Sequence, residues 1–321
     1  MTFFNTCWRS IATIASVSLL AACGGGSGNS NGSLTLKITD DPVTDAQAVV
    51  VVFTGVELKP AGGASFSVDF ATKKSIDLLA LQGGKTTNLF ENQSVPAGKY
   101  EWLRLKVYTD QTANDASYIE TGGTKFNLIV PSGSETGLKL VRGFTVAQGS
   151  LTGFVIDFDL RKSVVAPPGQ MPNYFLKPAL RVVDEMQVGT IAGTVDLNAL
   201  ATAQTAQLAD CHAGLYLFQG ATATPDDFDR DLVDDGGSDP IYLQPVANDG
   251  VTTDVGFTIP FVEAGASYTL AATCDFNVDG MDSDDYSPNA AQGEPGYQTM
   301  RWTAVNNVSV TAGATTTVDI P

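Results

Sequence analysis

The chain has 321 residues, of which 43% are hydrophobic and 17% charged, and its formal net charge is −17 at pH 7. With 32 glycines and 15 prolines, this composition excludes a disordered chain, a coiled coil and a membrane bundle. Because phosphate binding needs clustered Lys and Arg, the acidic balance argues against a nucleic-acid partner. At roughly 150 residues per domain, the length predicts two domains behind any targeting segment.

The N-terminal residues predict an export signal. Arg9 precedes a mainly apolar run over residues 11–22, which is too short to span a bilayer as a helix but has the length of a signal-peptide core. Leu20–Gly24 resembles the lipobox of bacterial lipoproteins, in which the signal is cut before a cysteine that is then acylated. The resemblance implies that residues 1–22 are a lipoprotein signal peptide and that Cys23 carries lipid.

The residues after the predicted cleavage site indicate where the protein is held. Gly24 stands where lipoproteins of the inner membrane usually carry Asp, so the resemblance implies an outer-membrane lipoprotein, either periplasmic or surface-exposed. The alternative is a secreted protein with an ordinary cleavage site and a chance cysteine. Apart from Cys23, residues 23–33 are all Gly, Ser or Asn, which predicts a flexible linker to the folded body. The membrane is therefore the partner expected at this end.

Residues 34–186 predict a β-sandwich domain, because short β-branched and aromatic runs alternate with Gly, Pro, Asn and Asp. In the clearest strand, Tyr100–Tyr108, one set of alternate side chains is predicted to face the core: Leu103, Leu105 and Val107. The opposite set is a candidate ligand face for sugar or an anionic polymer, since aromatic platforms with basic neighbours suit both: Trp102, Arg104, Lys106 and Tyr108. Ordinary cross-strand packing is the competing interpretation.

A second alternating run carries the only candidate carboxylate pair. Val155–Arg161 is predicted to direct Ile156, Phe158 and Leu160 to the core. Asp157, Asp159 and Arg161 then lie on the other side. The two carboxylates are the site that a hydrolase acting on polysaccharide or peptide would use. With Arg161 beside them, a solvated charged stripe is the favoured interpretation.

Several stretches of this half resemble a family of uncharacterised bacterial lipoproteins known only as a domain of unknown function. They are Leu34–Pro42, Ala48–Leu58, Phe158–Ser163 and Leu176–Pro178. The resemblance implies an exported β-rich domain. It assigns no catalytic residue, because none is established for that family.

Residues 187–321 predict a second β-sandwich. Gly189–Val195 has the pattern of an opening strand, Ala264–Leu270 that of a turn launching a strand, and Val308–Ile320 that of a valine-rich closing strand. Together they resemble the transthyretin-like modules appended to carboxypeptidases, where they are called regulatory-like, and to surface proteins. The resemblance implies an all-β fold made of two sandwiches in tandem.

The cysteines predict one disulfide. Cys7 leaves with the signal and Cys23 carries lipid, which leaves Cys211 and Cys274 as a pair in an oxidising compartment. Two buried free thiols are the alternative. The sole histidine, His212, follows a cysteine directly, so it is interpreted as a strand-end residue beside the bridge rather than as a general base.

The negative charge is concentrated in the second half. Residues 34–185 hold 15 Lys or Arg and 16 Asp or Glu, whereas residues 186–321 hold 2 and 19. One acidic run fits the start of a calcium loop, which needs oxygen ligands at positions 1, 3 and 5 and glycine at 6: Asp275, Asn277, Asp279 and Gly280. Tyr286 replaces the usual Glu at position 12, where Asp284 or Asp285 would have to compensate.

The other acidic run is a weaker candidate for calcium. It supplies Asp227, Asp229 and Asp231 but has Leu232 where glycine is needed. Solvated acidic loops that aid solubility are the alternative for both runs. The sequence therefore leaves Ca²⁺ as the one cofactor to consider.

Taken together, these patterns predict a non-catalytic lipoprotein with a binding or structural role in the cell envelope. Its expected partners are the membrane, through the lipid, and an envelope polysaccharide or protein. The rival hypotheses are the hydrolase with Asp157 and Asp159 as its site, and an adhesion module that depends on Ca²⁺.

Overall fold

The computed structural model describes residues 31–40, 46–113, 115–131, 137–166, 173–177, 179–226, 237–276 and 300–321. It confirms the predicted all-β class, with 20 strands, two short α-helices and three 3-10 turns in these ranges. No helix in these ranges is both long and apolar enough to cross a membrane.

The elements up to residue 184 are β1 (Asn31–Asp40), β2 (Ala48–Pro60), β3 (Phe66–Asp77), β4 (Thr87–Pro96), β5 (Gly98–Val107), β6 (Tyr118–Thr121), β7 (Thr124–Ile129), β8 (Leu138–Leu140), β9 (Phe144–Val146), β10 (Leu151–Phe158), α1 (Leu160–Ser163), β11 (Val164–Val165), β12 (Tyr174–Leu176) and β13 (Leu180–Asp184). The later elements are β14 (Val188–Asp196), α2 (Leu197–Ala203), β15 (Gly214–Gln219), β16 (Pro240–Pro245), β17 (Asp254–Glu263), β18 (Ser267–Thr273), β19 (Thr303–Ser309) and β20 (Thr315–Thr317).

The first half consists of two facing sheets. One has the order β13-β10-β1-β4, with β1 and β10 parallel, and the other is a nine-stranded sheet in which β2 and β5 are neighbours. Apolar side chains from both sheets meet between them, as in the edge-to-face contact of Phe53 with Phe158, whose ring centroids are 6.3 Å apart. In β5 the predicted alternation is confirmed, because Leu103, Leu105 and Val107 are buried.

The second half also consists of two sheets around an apolar core. The orders are β17-β14-β20 and β16-β15-β18-β19. The strand β15 is buried on both of its faces. Leu215 and Leu217 point into the core between the sheets, while Tyr216 and Phe218 join a separate aromatic cluster with Phe276.

The strand β10 departs from the sequence prediction, since both of its faces are buried. Val155 and Val183 pack with Val188 and with Phe261 of the second half. On the same face Asp157 is only 4% exposed and lies 2.5 Å from the Arg181 guanidinium. The prediction that Asp157 belongs to a solvated stripe is wrong, because residues of the second half cover this face of the sheet.

Candidate functional site

The outward side chains of β5 surround a half-exposed tryptophan. The Arg104 guanidinium carbon lies 5.1 Å and the Lys139 ammonium nitrogen 4.5 Å from the centroid of the Trp102 ring. Lys139 reaches the ring because β8 pairs with β5 and places Lys139 opposite Arg104. Cation–π contacts of this kind contribute about 0.5–1 kcal/mol each at exposed sites.

Two cations of this face are neutralised by carboxylates on other strands of the same sheet. Arg104 donates to Glu57 at 2.8 Å, and Lys106 lies 2.5 Å from Asp69. Lys106 crosses an intervening strand to do so, which Gly55 permits because it pairs with both residues and has no side chain. A Cβ atom on Gly55 would lie 2.9 Å from the Asp69 carboxylate.

The fourth predicted residue of the face, Tyr108, belongs to a separate contact. The Lys73 ammonium sits 3.5 Å from the Tyr108 ring centroid and 2.6 Å from Asp115. The hydrogen bond from Lys73 to Asp115 raises the pKa of the lysine, with a smaller contribution from Tyr108. The structure therefore divides the four predicted residues between two clusters, one at Trp102 and one at Tyr108.

Partners of the face on other strands were missed by sequence reasoning. Glu57, Asp69, Lys73 and Lys139 lie far from β5 in sequence, and only strand register brings them there. Val141 is exposed and directly follows β8, whose last residue Leu140 pairs with Leu103, so continuation of that register places Val141 next to Trp102. We call Trp102, Lys139 and Val141 the Trp102 patch.

The Trp102 patch is suited to a flat ligand with an acidic group. Val141 is 76% exposed, and Trp102 is partly accessible on the sheet surface. Within the described ranges Lys139 has no carboxylate partner, in contrast to Arg104 and Lys106. An aromatic ring, an apolar neighbour and a cation are thus left facing solvent at one end of the face.

The predicted disulfide is confirmed. Cys211 and Cys274 are bonded, with Cα atoms 4.4 Å apart, and both residues are 3% exposed. The bridge links the chain before β15 to the chain after β18, two strands that pair along their length. His212 is exposed next to the bridge, and its carbonyl accepts a hydrogen bond from the Phe276 amide at 3.0 Å.

Asp275, the first residue of the predicted calcium loop, is bound to an arginine. Arg301 donates to both carboxylate oxygens, including a 2.9 Å bond from Nε to Oδ2, and its backbone amide donates to Oδ2 at 3.0 Å. The guanidinium also donates to the carbonyl of Gln204. The pair thus joins the two ends of the segment 276–300. We call it the Asp275–Arg301 clamp.

The clamp changes the acidity of Asp275. Burial opposes ionisation of this carboxyl, but hydrogen bonds and the positive charge of Arg301 outweigh burial and lower its pKa. The sequence contains a hint of this pairing, because Arg301 is one of only two cations in residues 186–321 and it follows an acidic run. An isolated cation in so acidic a region indicates a carboxylate partner.

The remaining predicted ligands and the lipid site lie outside the described residues. They are Cys23, Asp227, Asp229, Asp231, Asn277, Asp279, Asp284 and Asp285. Where the structure does describe the chain, no group of three or more His, Cys, Asp or Glu side chains is arranged to hold a metal ion.

The carboxylates of the hydrolase hypothesis have structural contacts. Asp157 is paired with Arg181, and Asp159 caps α1 by accepting from the Lys162 amide at 3.4 Å. Both line a cleft of about 310 Å³ that also includes Ile241 of the second half. The cleft brings the two carboxylates together, but each is already engaged by a neighbouring group.

Residues 31–178 match the model of a domain of unknown function, DUF4382. The match ends before the second half, so the resemblance of residues 187–321 to transthyretin-like modules stays a prediction. No curated protein matches the chain.

Solved structures similar to the chain include adhesin and fimbrial proteins. A protein from Bacteroides ovatus described as an adhesin is 11% identical, with coverage of 97% of this chain and 99% of that one and a TM-score of 0.23. The fimbrial anchor protein of Porphyromonas gingivalis is 10% identical, with coverage of 75% and 78% and a TM-score of 0.17.

A leucine-rich repeat protein from Bacteroides thetaiotaomicron is 11% identical, with a TM-score of 0.23. It is aligned with 91% of this chain, which spans only 26% of the length of that protein. Likenesses with TM-scores this low carry no argument about the fold or the function of this chain.

Proposed function

We propose that this protein is a lipid-anchored protein of the cell envelope with a non-catalytic binding role, and that the Trp102 patch binds an envelope polysaccharide bearing acidic groups. The Leu20–Gly24 sequence supports the anchor, because it places an acylatable cysteine directly before a linker of small polar residues. The outward side chains of β5 support a binding role, since they are partly exposed on the nine-stranded sheet.

The Trp102 patch is the observation that carries the proposal. A partly exposed indole stacks on the apolar face of a sugar ring, and Val141 extends that apolar surface. Lys139 supplies a positive charge that no described carboxylate neutralises, so an acidic sugar gains a charge-assisted contact there. Arg104 is held by Glu57 and positions the ring instead.

Binding to acidic and neutral polysaccharides tests the proposal. Trp102→Ala should abolish binding measured by affinity electrophoresis, and Lys139→Ala should weaken binding to the acidic polymer alone. Tyr118→Ala is the matched control, because Lys125 lies 4.2 Å from the Tyr118 ring in a similar pair elsewhere on the same sheet. Equal binding by the Trp102 and Tyr118 variants would remove the patch from the proposal.

The anchor is tested separately from the patch. Cys23→Ser should move the protein from the membrane fraction to the soluble fraction, since the acyl chains would be lost. If this variant partitions with the membrane as before, acylation of Cys23 is not what holds the protein there. The binding role of the patch would be unaffected by that result.

We also propose that Ca²⁺ binds the second half through the acidic run that begins at Asp275. The support is electrostatic, because 19 carboxylates share residues 186–321 with only two cations. The Asp275–Arg301 clamp competes with this role of Asp275, so the remaining oxygens would have to supply most of the coordination.

A further inference from the structure

The start of β1 fixes which end of the folded body lies next to the lipid. β1 begins at Asn31, eight residues after Cys23. A chain of eight residues spans at most about 29 Å even when fully extended. If Cys23 is acylated, as the proposed function holds, the end of the sandwich that contains Asn31 is therefore held close to the membrane surface.

Strand pairing identifies the other segments at this end. Asn31 pairs with Pro96, and its carbonyl accepts a hydrogen bond from the Gly149 amide at 3.0 Å. The Ala61 amide donates to the Lys99 carbonyl at 2.8 Å, which brings in the β2–β3 turn. We call these segments together the tethered end: residues 31–33, 60–65, 96–99 and 146–151.

The tethered end differs in charge from the rest of the protein. None of the 35 Asp and Glu residues of the chain falls in it, and Lys99 is its one charged residue. Lys99 is exposed, and the next carboxylate along β5 is Glu101. Anionic lipid headgroups repel carboxylates and attract lysine, so this is the end of the body that a lipid surface tolerates best.

An exposed leucine lies on the same end. Leu151, the first residue of β10, is 61% exposed and pairs with Ser33, two residues from the start of β1. Single exposed apolar side chains are common on soluble proteins and need no explanation by themselves. Here the exposed leucine lies at the end of the body that also follows the linker and contains no carboxylate. Three independent properties therefore occur together at the tethered end.

We infer that the tethered end docks on an anionic lipid bilayer, with Leu151 entering the interface between headgroups and acyl chains and Lys99 contacting lipid phosphate. Docking fixes the orientation of the body, so the sheets extend away from the membrane along β1. A body tethered by the linker alone would instead rotate freely above the lipid.

Fluorescence quenching by lipid tests the orientation. The lipidated full chain is reconstituted in vesicles of phosphatidylethanolamine and phosphatidylglycerol that contain a lipid brominated near its headgroup. A thiol introduced by Gln148→Cys at the tethered end carries the fluorophore, and Thr86→Cys carries it near the opposite end of β1, where Thr87 pairs with Ile38. Each thiol is unique, because Cys211 and Cys274 are bonded and Cys23 is acylated.

Quenching of the probe at position 148 but not of the probe at position 86 is expected. Leu151→Asp should abolish that difference, whereas Val251→Asp, a substitution at an 81% exposed valine of the second half, should preserve it. Lys99→Gln should lower the docking equilibrium constant about fivefold, because one lysine near an anionic surface contributes about 1 kcal/mol.

Two results would overturn the inference in distinguishable ways. Equal quenching of both probes in protein that sediments with the vesicles shows an anchored body without a preferred orientation. Protein that fails to sediment with the vesicles overturns the lipid anchor as well, and with it the membrane-tethered part of the proposed function, while polysaccharide binding by the Trp102 patch is tested separately.

Discussion

The two halves of this molecule handle charge in opposite ways. In the first half, cations and carboxylates are nearly equal in number and pair within one sheet, as Arg104 does with Glu57 on the adjacent strand and Lys106 with Asp69 two strands away. In the second half carboxylates greatly outnumber cations, and Arg301, one of its two cations, pairs with Asp275. In the first half the ion pairs leave a sheet face of little net charge, on which the Trp102 patch can bind a ligand. In the second half the mutual repulsion of the carboxylates has to be offset by other stabilising interactions.

The second half contains a device that the first half lacks among its described residues, namely a covalent cross-link. The Cys211–Cys274 bridge closes a loop of 63 residues, which lowers the conformational entropy of the unfolded chain. The first half relies on packing between two sheets, including the stacked rings of Tyr100 and Phe144 with centroids 4.9 Å apart. This difference predicts that a substitution or an added ion changes the stability of one half and leaves the other half unchanged.

Removal of the disulfide should have the largest effect. Replacing both Cys211 and Cys274 by Ser is expected to destabilise the second half by about 4 kcal/mol, because the 63-residue loop regains its unfolded-state entropy. Differential scanning calorimetry of the full chain should show the transition of the second half moving to lower temperature while that of the first half stays. A single transition that shifts as a whole would show that the halves unfold together.

Breaking the Asp157–Arg181 pair should have the next largest effect. Arg181→Met leaves a carboxylate that is 4% exposed without its guanidinium partner, which is expected to cost about 3 kcal/mol in the free energy of unfolding. Urea denaturation measures the loss. The double variant Asp157→Leu with Arg181→Met is the control, and it should recover most of the stability because no buried charge remains. No recovery would mean that the pair also positions the junction with the second half.

The contrast between β5 and β10 shows how much of this fold the sequence predicts. In β5 alternation alone identified the core side chains, because its outward face meets solvent. In β10 alternation identified Ile156 and Phe158 correctly but failed for Asp157, because a distant part of the chain covers the other face. The alternation of apolar and polar residues along a strand predicts which face points into the core between the two sheets. It contains no information on what covers the opposite face.

The candidate sites show the same limit. The disulfide followed from counting cysteines, which needs no knowledge of geometry. Trp102 was identified as a ligand-face residue from its own strand, whereas Lys139 and Val141 join it only through the pairing of β8 with β5. The Asp275–Arg301 clamp joins residues on either side of the segment 276–300, a pairing that the spacing of a calcium loop does not suggest.

The clamp should have a smaller effect than the two preceding changes, and it should depend on pH. Arg301→Gln is expected to lower the stability of the second half by about 2 kcal/mol at neutral pH, because it removes charge-assisted hydrogen bonds to Asp275. Thermal melts followed by circular dichroism measure the shift. Lys125→Gln, which changes a more exposed ion pair with Glu120 in the first half, is the control and should have little effect.

The sign of the pH dependence follows from the lowered pKa of Asp275. Folding with a carboxyl of lowered pKa is favoured fully above the unfolded pKa of about 3.9, and that contribution is lost as the pH falls through the folded value. The difference in stability between the native protein and the Arg301→Gln variant should therefore be constant near neutral pH and shrink below about pH 4. A difference that persists at lower pH would assign the effect to the bond with the Gln204 carbonyl instead.

Calcium should change stability least, but it tests most directly whether the excess negative charge distinguishes the second half from the first. Millimolar Ca²⁺ is expected to stabilise the second half by about 1–2 kcal/mol in calorimetry of the full chain and to leave the first half unchanged, because sites of extracellular modules bind in that concentration range. Mg²⁺ should do less, since it retains its waters, and NaCl at matched ionic strength measures screening alone. Asp279→Ala should remove the effect of Ca²⁺.

The clamp provides the sharpest control for this calcium site. In native protein Arg301 occupies both oxygens of Asp275, so a metal that uses Asp275 must first displace the guanidinium. Arg301→Gln frees those oxygens and removes the competing cation, and the Ca²⁺-dependent shift should then grow even though the variant starts from lower stability. A shift that is unchanged in Arg301→Gln would exclude Asp275 from the site. Equal shifts with Ca²⁺, Mg²⁺ and matched NaCl in both proteins would exclude the site altogether, since screening of the acidic half then accounts for the whole effect.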